Sequence, residues 1–357
     1  MEIKELWENF KSNKKAQIIA IVILVVLIAS TIMGILVFGK KDNNGKNNNI
    51  NAVSGKLTAR AIDGVMVPEN KANLFPLTIM IENYKDVRPQ YSLGKANLVY
   101  EALAEGGITR FLAVYATDEQ FSTIGPVRSA RHYFVDLAEE YHGLFVHIGG
   151  SPEALGILSY QDYLTDLNQF GYSQYYWRDE EKEAPHNLFT SSELLAYAIR
   201  DLELNTNVQY TAWQFKDEAK KAERPQEEKY VKINYSTEDY FVEWKYNKEN
   251  NVYLRYNGGV EHKDALTDKQ IEAKNIIVQY AATELMDENT GRLDIITQGE
   301  GKAIMFMDGA YIEGTWKKTN RGDRTKFYDG DDKEISFNPG ATWIEIVQDD
   351  TGIEWPK

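Results

Sequence analysis

The stretch Leu144-Phe145-Val146-His147-Ile148-Gly149-Gly150-Ser151-Pro152-Glu153-Ala154 decides the fold class of this 357-residue chain. The segment before the glycines is mostly apolar, which is typical of a buried strand, and the two glycines allow a tight turn. Ser151 and Pro152 are residue types preferred at the N-cap and first position of a helix. The stretch therefore predicts a strand, a turn and a helix. Ligands of open α/β folds bind at such turns, so Gly149, Gly150 and Ser151 are candidate binding residues, although the turn lacks the nucleotide-binding patterns.

Similar apolar runs alternate with helical patterns on both sides of this stretch. Strands are predicted at residues 77–81 and 111–116, and helices at 127–141 and 191–204. Thr190 and Glu193 have the spacing of a capping box at the start of the second helix. The alternation predicts an N-terminal domain of the α/β or α+β class.

The pattern changes to strands and turns in the last third of the chain. Short strand-like runs lie at 240–246, 252–256, 275–280, 302–307, 310–317, 334–337 and 342–347. Between them, the pairs Asn257-Gly258 and Asp308-Gly309 favour tight hairpins, because these residue types tolerate positive φ. We therefore predict a mostly-β C-terminal domain, with Trp244, Trp316 and Trp343 in its core.

A charged stretch at 216–229, which contains the helix-breaking Pro225, separates the two patterns. The predicted organisation is a cytoplasmic tail (1–16), a single transmembrane helix (17–38), an Asn- and Lys-rich stalk (39–70), the α/β domain (71–215), a charged linker (216–232) and the β-rich domain (233–350).

The predicted anchor is an apolar run that begins at Ile18 and ends at Phe38. At about 1.5 Å per residue, such a helix spans the roughly 30 Å hydrocarbon core of a bilayer. No Ala-x-Ala cleavage pattern follows the run, so we interpret it as an uncleaved anchor. Lysines on both sides leave the orientation undecided by charge. The absence of Cys favours an extracellular body with a cytoplasmic N-terminus.

The charge of the chain limits its partners. The net charge is −14, and residues 1–41 carry six Lys and three Glu, which leaves −17 for the remainder. An acidic body of this kind should stand off anionic lipid headgroups, and we expect no nucleic acid partner. A cell-wall polymer or another envelope protein is the expected partner.

A cluster of basic residues follows Gly125-Pro126. Arg128, Arg131 and His132 would lie on one face near a helix N-terminus, where the macrodipole disfavours cations. An anion should therefore offset them. It could be the phosphate or carboxylate of a ligand, or it could be an internal partner, Glu101 or Glu105.

The loop residues His186 and Asn187 precede the second predicted helix. His186 is a candidate acid–base group, although a neutral imidazole bonded to backbone is the commoner outcome. The chain has no Cys nucleophile, no Gly-x-Ser-x-Gly elbow and no His-Glu-x-x-His motif. Its five His lack metal-ligand spacing, so we predict no metal and no cofactor.

Taken together, several segments resemble the YerB-like family of bacterial envelope proteins. The matching stretches are Arg88-Pro89-Gln90, Ala96-Asn97-Leu98-Val99-Tyr100-Glu101, Glu105-Gly106-Gly107-Ile108-Thr109-Arg110-Phe111, Gly125-Pro126-Val127-Arg128-Ser129-Ala130-Arg131, Pro185-His186-Asn187-Leu188-Phe189, Asp308-Gly309 to Gly314-Thr315-Trp316-Lys317, and Pro339-Gly340-Ala341-Thr342-Trp343-Ile344. The resemblance spans about residues 60–350 and implies a two-part envelope protein whose biochemical function is not established. It also implies a lipoprotein anchored through a Cys, which this chain lacks.

These observations favour a membrane-anchored extracytoplasmic protein that acts as a binding or accessory factor. The alternative is a hydrolase or transferase acting on an anionic envelope substrate, with His186 or Glu105 as the acid–base group. The candidate ligand- or anion-binding residues are Arg110, Arg128, Arg131, His132, Gly149, Gly150, Ser151 and Asn187.

Overall fold

A large mixed β-sheet lies at the centre of the structure, a computed structural model that describes residues 56–356. The α-helices of the described part are α1 (His132–Ala138), α2 (Pro152–Leu158) and α3 (Ser192–Asp201). The strands of the N-terminal part are β1 (Leu57–Ala59), β2 (Met66–Pro68), β3 (Leu77–Glu82), β4 (Leu98–Leu103), β5 (Thr109–Tyr115), β6 (Leu144–His147), β7 (Thr165–Asn168), β8 (Trp177–Arg178), β9 (Leu188–Phe189) and β10 (Gln214–Phe215).

The C-terminal part contains strands and short 3-10 turns, and no α-helix is found between residues 230 and 356. Its strands are β11 (Tyr230–Asn234), β12 (Phe241–Asn247), β13 (Val252–Asn257), β14 (Val260–Glu261), β15 (Glu272–Ala273), β16 (Asn275–Tyr280), β17 (Thr283–Asp287), β18 (Arg292–Ile295), β19 (Gly299–Met307), β20 (Ala310–Lys318), β21 (Lys326–Asp329), β22 (Ser336–Phe337), β23 (Thr342–Val347) and β24 (Gly352–Glu354). The prediction of a mostly-β C-terminal region is confirmed.

The large sheet has ten strands in the order β21-β20-β19-β16-β23-β4-β5-β3-β6-β7. Six of these strands run in the same direction: β3, β4, β6, β7, β16 and β23. Neighbours among them pair in parallel, except β4 and β3, which both pair antiparallel with β5 between them. Their carboxyl ends therefore lie along one edge of the sheet, the edge where α/β proteins place ligands.

The two parts of the chain build this sheet jointly. Strand β4 from the N-terminal part pairs in parallel with β23 from the C-terminal part, with Leu98 opposite Thr342 and Glu101 opposite Glu345. The described residues accordingly belong to one compact unit. The charged linker joins two parts of a common core.

Both faces of the large sheet are buried. On β5, Phe111 and Ala113 point into one apolar cluster, whereas Leu112 and Val114 point into another. The first face packs against α3 and a six-stranded antiparallel sheet. Five strands of that sheet pair in the order β14-β13-β12-β11-β24, and β15 pairs with β13. The second face is covered by α1 and α2. Burial on both sides explains why the central strands are continuous apolar runs. We call the first face the sheet-packed face and the second the helix-packed face.

The guanidinium of Arg255 joins the two sheets. Arg255 lies on β13 and is fully buried between Glu101 and Glu345, the carboxylates that face each other on β4 and β23. It donates from Nη1 to Glu345 Oε1 at 2.9 Å and from Nη2 to Glu101 Oε2, and its Cζ atom lies 4.3 Å from the ring centroid of Trp343. Like charges directly opposite each other destabilise a sheet, so Arg255 offsets a repulsion built into the strand pairing.

One cation cannot neutralise two buried carboxylates, and the hydrogen bonds indicate where a proton lies. The Tyr235 hydroxyl is 2.9 Å from Glu345 Oε2 and 3.2 Å from the carbonyl oxygen of Glu101, but it has one proton to donate. Both contacts are satisfied when Glu345 is protonated, because it then donates to Tyr235, which donates to the carbonyl. Burial, together with the neighbouring charge of Glu101, raises the pKa of Glu345 to about 8.

Two helix starts differ from the sequence predictions. The helix predicted to begin near Val127 starts at His132, so Arg128 is not helical. The preceding residues are extended: the Val127 amide donates to Leu188 O at 2.7 Å and the Arg128 amide donates to Met80 O at 2.9 Å. These backbone partners replace the first helical turn that Pro126 suggested.

At the later helix, the N-cap is Ser191 and not Thr190, because Ser191 Oγ accepts a hydrogen bond from the Leu194 amide at 3.2 Å. The cap at Ser151 and the proline at the start of α2 are confirmed. The three tryptophans are confirmed as core residues, since Trp244, Trp316 and Trp343 are at most 2% exposed.

The predicted anchor from Ile18 to Phe38 lies outside the described residues, as do the tail and most of the stalk. Within residues 56–356, none of the helices has the length and apolar character needed to cross a membrane.

Replacing Glu345 by Gln should flatten the pH dependence of stability. A carboxyl whose folded-state pKa lies above its unfolded value, about 4.3, binds an extra proton in the folded state. The free energy of unfolding should therefore fall as pH rises from about 5 to about 8, by up to about 1.4 kcal/mol per pH unit for one proton. Urea unfolding across this range measures the slope.

The exposed Glu313 on β20 supplies the control. Glu313→Gln should keep the slope of the native chain, whereas Glu345→Gln should lose most of it. Equal slopes in all three proteins would show that Glu345 does not hold the extra proton.

Candidate functional site

Three arginines meet at the edge of the large sheet where the parallel strands end. Arg110 lies at the start of β5, opposite Glu82 at the end of β3, and both point to the helix-packed face. Arg128 and Arg131 lie on the extended segment before α1. This segment runs beside the Gly149-Gly150 turn, because the Ala130 amide donates to the Gly149 carbonyl at 3.1 Å. We call Arg110, Arg128 and Arg131 the arginine cluster.

Two of these arginines have carboxylate partners. Arg128 Nε lies 3.1 Å from Glu82 Oε1, and Arg131 forms a two-pronged ion pair with Glu105, with Nη2 2.6 Å from Oε2. Burial alone would raise the pKa of Glu105, but the hydrogen bonds and charge of Arg131 hold it below its ordinary value. The pairing of Arg131 with Glu105 is one of the two alternatives that the sequence left open. Glu101, the other predicted partner, serves Arg255 instead.

Arg110 has no such partner. Its Nη1 donates to the Ser129 carbonyl at 2.8 Å, and no carboxylate oxygen in residues 56–356 lies within 4.0 Å of it. Burial, followed by the positive charges of Arg131 and Arg128, lowers the pKa of Arg110 to about 10. The cluster therefore holds three guanidiniums against two carboxylates, which leaves a surplus positive charge in a site that is only slightly exposed.

Glu82 links the cluster to a neighbouring cleft. Its Oε2 lies 2.9 Å from His186 Nδ1, while its Oε1 faces Arg128. The carboxylate accepts a hydrogen bond from Nδ1–H, and in the neutral imidazole Nε2 is then an acceptor, which has no hydrogen-bond partner among the described residues. The imidazole stacks on Tyr84 at 4.9 Å and lines a cleft of about 560 Å³, together with Arg88, Tyr91 and Lys182.

The remaining predicted residues have local roles. His147 is fully buried and bonds to Asp166 Oδ1 and to the Gly149 carbonyl, each at 2.7 Å, so it holds the glycine turn. His132 Nε2 lies 2.8 Å from Asp294 Oδ1 on β18. Asn187 donates to the carbonyls of Asp179 and Lys182 and accepts from Arg178, which holds its own loop. Ser151 caps α2, and Gly150 packs against Ala130. Ligand binding by these residues stays a prediction.

The described residues contain no group of three or more His, Cys, Asp or Glu arranged to hold a metal ion. Sequence reasoning missed Glu82, which partners both Arg128 and His186. The signal that could have found it is the antiparallel register of β3 and β5, which places Glu82 opposite Arg110. That register depends on strand pairing and is not visible in a local motif.

Comparison with known proteins agrees with this architecture. Residues 63–205 match the N-terminal domain, and residues 231–344 the C-terminal domain, of a family described as "Protein of unknown function (DUF3048)". The chain is 35% identical over 295 residues to "Putative lipoprotein YerB" of Bacillus subtilis (strain 168), covering 81% of this chain and 86% of that protein.

The fold is similar to the crystal structure of the YerB protein from Bacillus subtilis. The TM-score is 0.74 at 33% identity, and the match covers 84% of this chain and all of that one. The resemblance seen in the sequence motifs is thereby confirmed, and the two matched regions lie on either side of the charged linker. The chain belongs to the two-part DUF3048 family of proteins of unknown function, and it is similar to YerB of Bacillus subtilis.

Proposed function

We propose that this chain is a membrane-anchored, extracytoplasmic envelope protein that binds an anionic group of a cell-wall polymer or an envelope protein at the arginine cluster. The observation that carries the proposal is the surplus charge of Arg110, a nearly buried guanidinium without a carboxylate partner. Buried charges in proteins are usually paired, so a site with an unpaired one favours a ligand of opposite sign.

The proposed location draws on two observations. The name of the Bacillus subtilis relative, "Putative lipoprotein YerB", supports an envelope setting. In this chain the apolar run from Ile18 to Phe38 would replace the lipid as the anchor, with the N-terminus in the cytoplasm. The stalk would then hold the acidic body away from the membrane surface.

The geometry suits a carboxylate or a phosphate. A guanidinium presents its N–H groups in a planar fork that matches two oxygens, and it stays charged even when burial lowers its pKa. The rest of the body is acidic and would repel polyanions in general. Binding should therefore be local, directed by the cluster, and weakened by salt.

Replacing Arg110 by Met should abolish most anion binding, because the charge without an internal partner is removed. Titration of the full chain in detergent micelles with inorganic phosphate and with polyglycerol phosphate measures the affinity. We expect a loss of at least about tenfold, equivalent to about 1.4 kcal/mol. Arg110→Lys should retain part of the affinity, because it keeps the charge but loses the fork.

The exposed Arg200 on α3 supplies the matched control, since its side chain is 68% exposed and pairs with Asp201. Arg200→Met should bind both anions as the native chain does. The proposal fails if the native chain binds neither anion, or if Arg110→Met and Arg200→Met bind equally well.

A second candidate function is a hydrolase or transferase that acts on an anionic envelope substrate. The observation that favours it is the arrangement at Glu82, which orients His186 through Nδ1 and leaves Nε2 as a proton acceptor beside the cleft. Glu105 is less suited to this role, because its pair with Arg131 lowers its pKa.

His186→Gln distinguishes the two functions. If the chain is an enzyme, mass spectrometry should detect fragments released from an anionic wall polymer by the native chain and none by the variant, while phosphate binding is unchanged. If the chain is a binding protein, the polymer should remain intact with both. Equal fragmentation by both proteins would exclude His186 as the acid–base group.

A further inference from the structure

The exposed aromatic ring of Phe170 lies against the glycine turn, which is hydrogen-bonded to the segment that carries Arg128 and Arg131. Phe170 follows β7 at the same edge of the large sheet, and 76% of the residue is exposed. Its turn is fixed by Asn168, whose Oδ1 accepts hydrogen bonds from the Gly149 amide at 3.0 Å and from the Phe170 amide at 3.3 Å. The Gly171 amide donates to the Asn168 carbonyl at 2.9 Å. The ring is therefore presented to solvent from an ordered turn.

The ring of Phe170 packs against Gly149. A Cβ atom built on Gly149 would lie 2.9 Å from Phe170 Cε2, and the residue has a φ of +54°. Any larger residue would displace the ring and would be strained in that conformation. The missing Cβ of Gly149 leaves room for the aromatic ring, and its positive φ is a conformation that glycine adopts readily.

The same turn touches the segment that carries the arginines. The Gly149 carbonyl accepts from the Ala130 amide, and Ala130 lies between Arg128 and Arg131. Arg110 donates to the carbonyl of Ser129, the residue before Ala130. Adjacent hydrogen-bonded segments lie about 4.8 Å apart. The ring lies on the glycine turn, and the guanidiniums lie on or against the segment that is hydrogen-bonded to this turn.

We propose that Phe170 and the arginine cluster form one site for an anionic sugar. The C–H face of the sugar ring stacks on Phe170, and its phosphate or carboxylate binds the guanidiniums. This inference rests on the proposed function and narrows the ligand to a glycan. The apolar face of a pyranose suits an exposed aromatic ring, because contact buries carbon-bound surface of both. Asn168 Nδ2, which has no hydrogen-bond partner among the described residues, can donate to a sugar hydroxyl.

The experiment compares two phosphates that differ in the sugar ring. Glucose 1-phosphate carries the ring and glycerol 1-phosphate does not, and each is titrated into the full chain in detergent micelles. We expect the native chain to bind glucose 1-phosphate about five- to tenfold more tightly. Phe170→Ala should remove this preference and leave glycerol 1-phosphate binding unchanged. Phe170→Tyr should keep the preference, whereas Phe170→Leu should lose it if stacking is the cause.

Tyr160 provides the matched control, because it is a 72% exposed aromatic residue beyond the C-terminus of α2. Tyr160→Ala should bind both phosphates as the native chain does. Glucuronate compared with glycolate repeats the test for a carboxylate in place of a phosphate.

The outcomes separate this inference from the proposed function. If the native chain binds both phosphates equally, or if Phe170→Ala keeps the preference, the sugar site is refuted while anion binding stands. The first of these results would favour a protein surface as the partner of Phe170. If neither phosphate, glucuronate nor glycolate binds, both the sugar site and the anion-binding function fail.

Discussion

Arg255 holds Glu101 and Glu345 together where the two halves of the chain pair. The carboxylates face each other across β4 and β23, and the guanidinium comes from β13 in the second sheet. Without the cation, the pairing would bury two acidic groups against each other, a cost of several kcal/mol. The N-terminal half cannot satisfy Glu101 alone, since Glu101 lies on β4 and its cation comes from β13 of the C-terminal half. This interaction ties the two family regions together where they share one sheet.

Hydrogen bonds connect Glu101 with residues at the end of the β3–β5 pair, next to the candidate site. Thr109 donates to Glu101 Oε1 at 2.6 Å, and Asn83 donates to Thr109 at 2.7 Å, on the sheet-packed face. The next residues along these strands, Arg110 and Glu82, point to the opposite face and belong to the site. Because neighbouring residues of a strand alternate between faces, the buried network fixes the backbone from which the arginine cluster projects.

The sequence alone predicted those elements whose pattern lies in consecutive residues. The apolar runs of β16 and β23 and the Ser151-Pro152 helix start could be read directly, because burial on both faces and capping each leave a pattern in consecutive residues. The extended segment at Arg128 could not, because its amide is satisfied by Met80, a residue from a distant strand. The partners of Arg255 are likewise distant in sequence, so no pattern in the neighbouring residues predicts its role.

The site was predictable to a similar extent. The basic residues were visible as a cluster, and the pairing of Arg131 with Glu105 was one of two alternatives. The double role of Glu82 and the isolation of Arg110 depend on strand register, which the sequence does not state. The surplus charge that motivates the functional proposal is therefore a property of the fold.

Amide hydrogen exchange tests most directly whether the two halves form one cooperative unit through Arg255. Exchange of peptides that cover β4, β13 and β23 should be followed by mass spectrometry at increasing urea, in the native chain and in Arg255→Leu. We expect the three strands to open with one common free energy in the native chain, and all three to lose protection together in the variant. Protection of β4 that persists after β13 has opened, or that is unaffected by the substitution, would contradict this expectation.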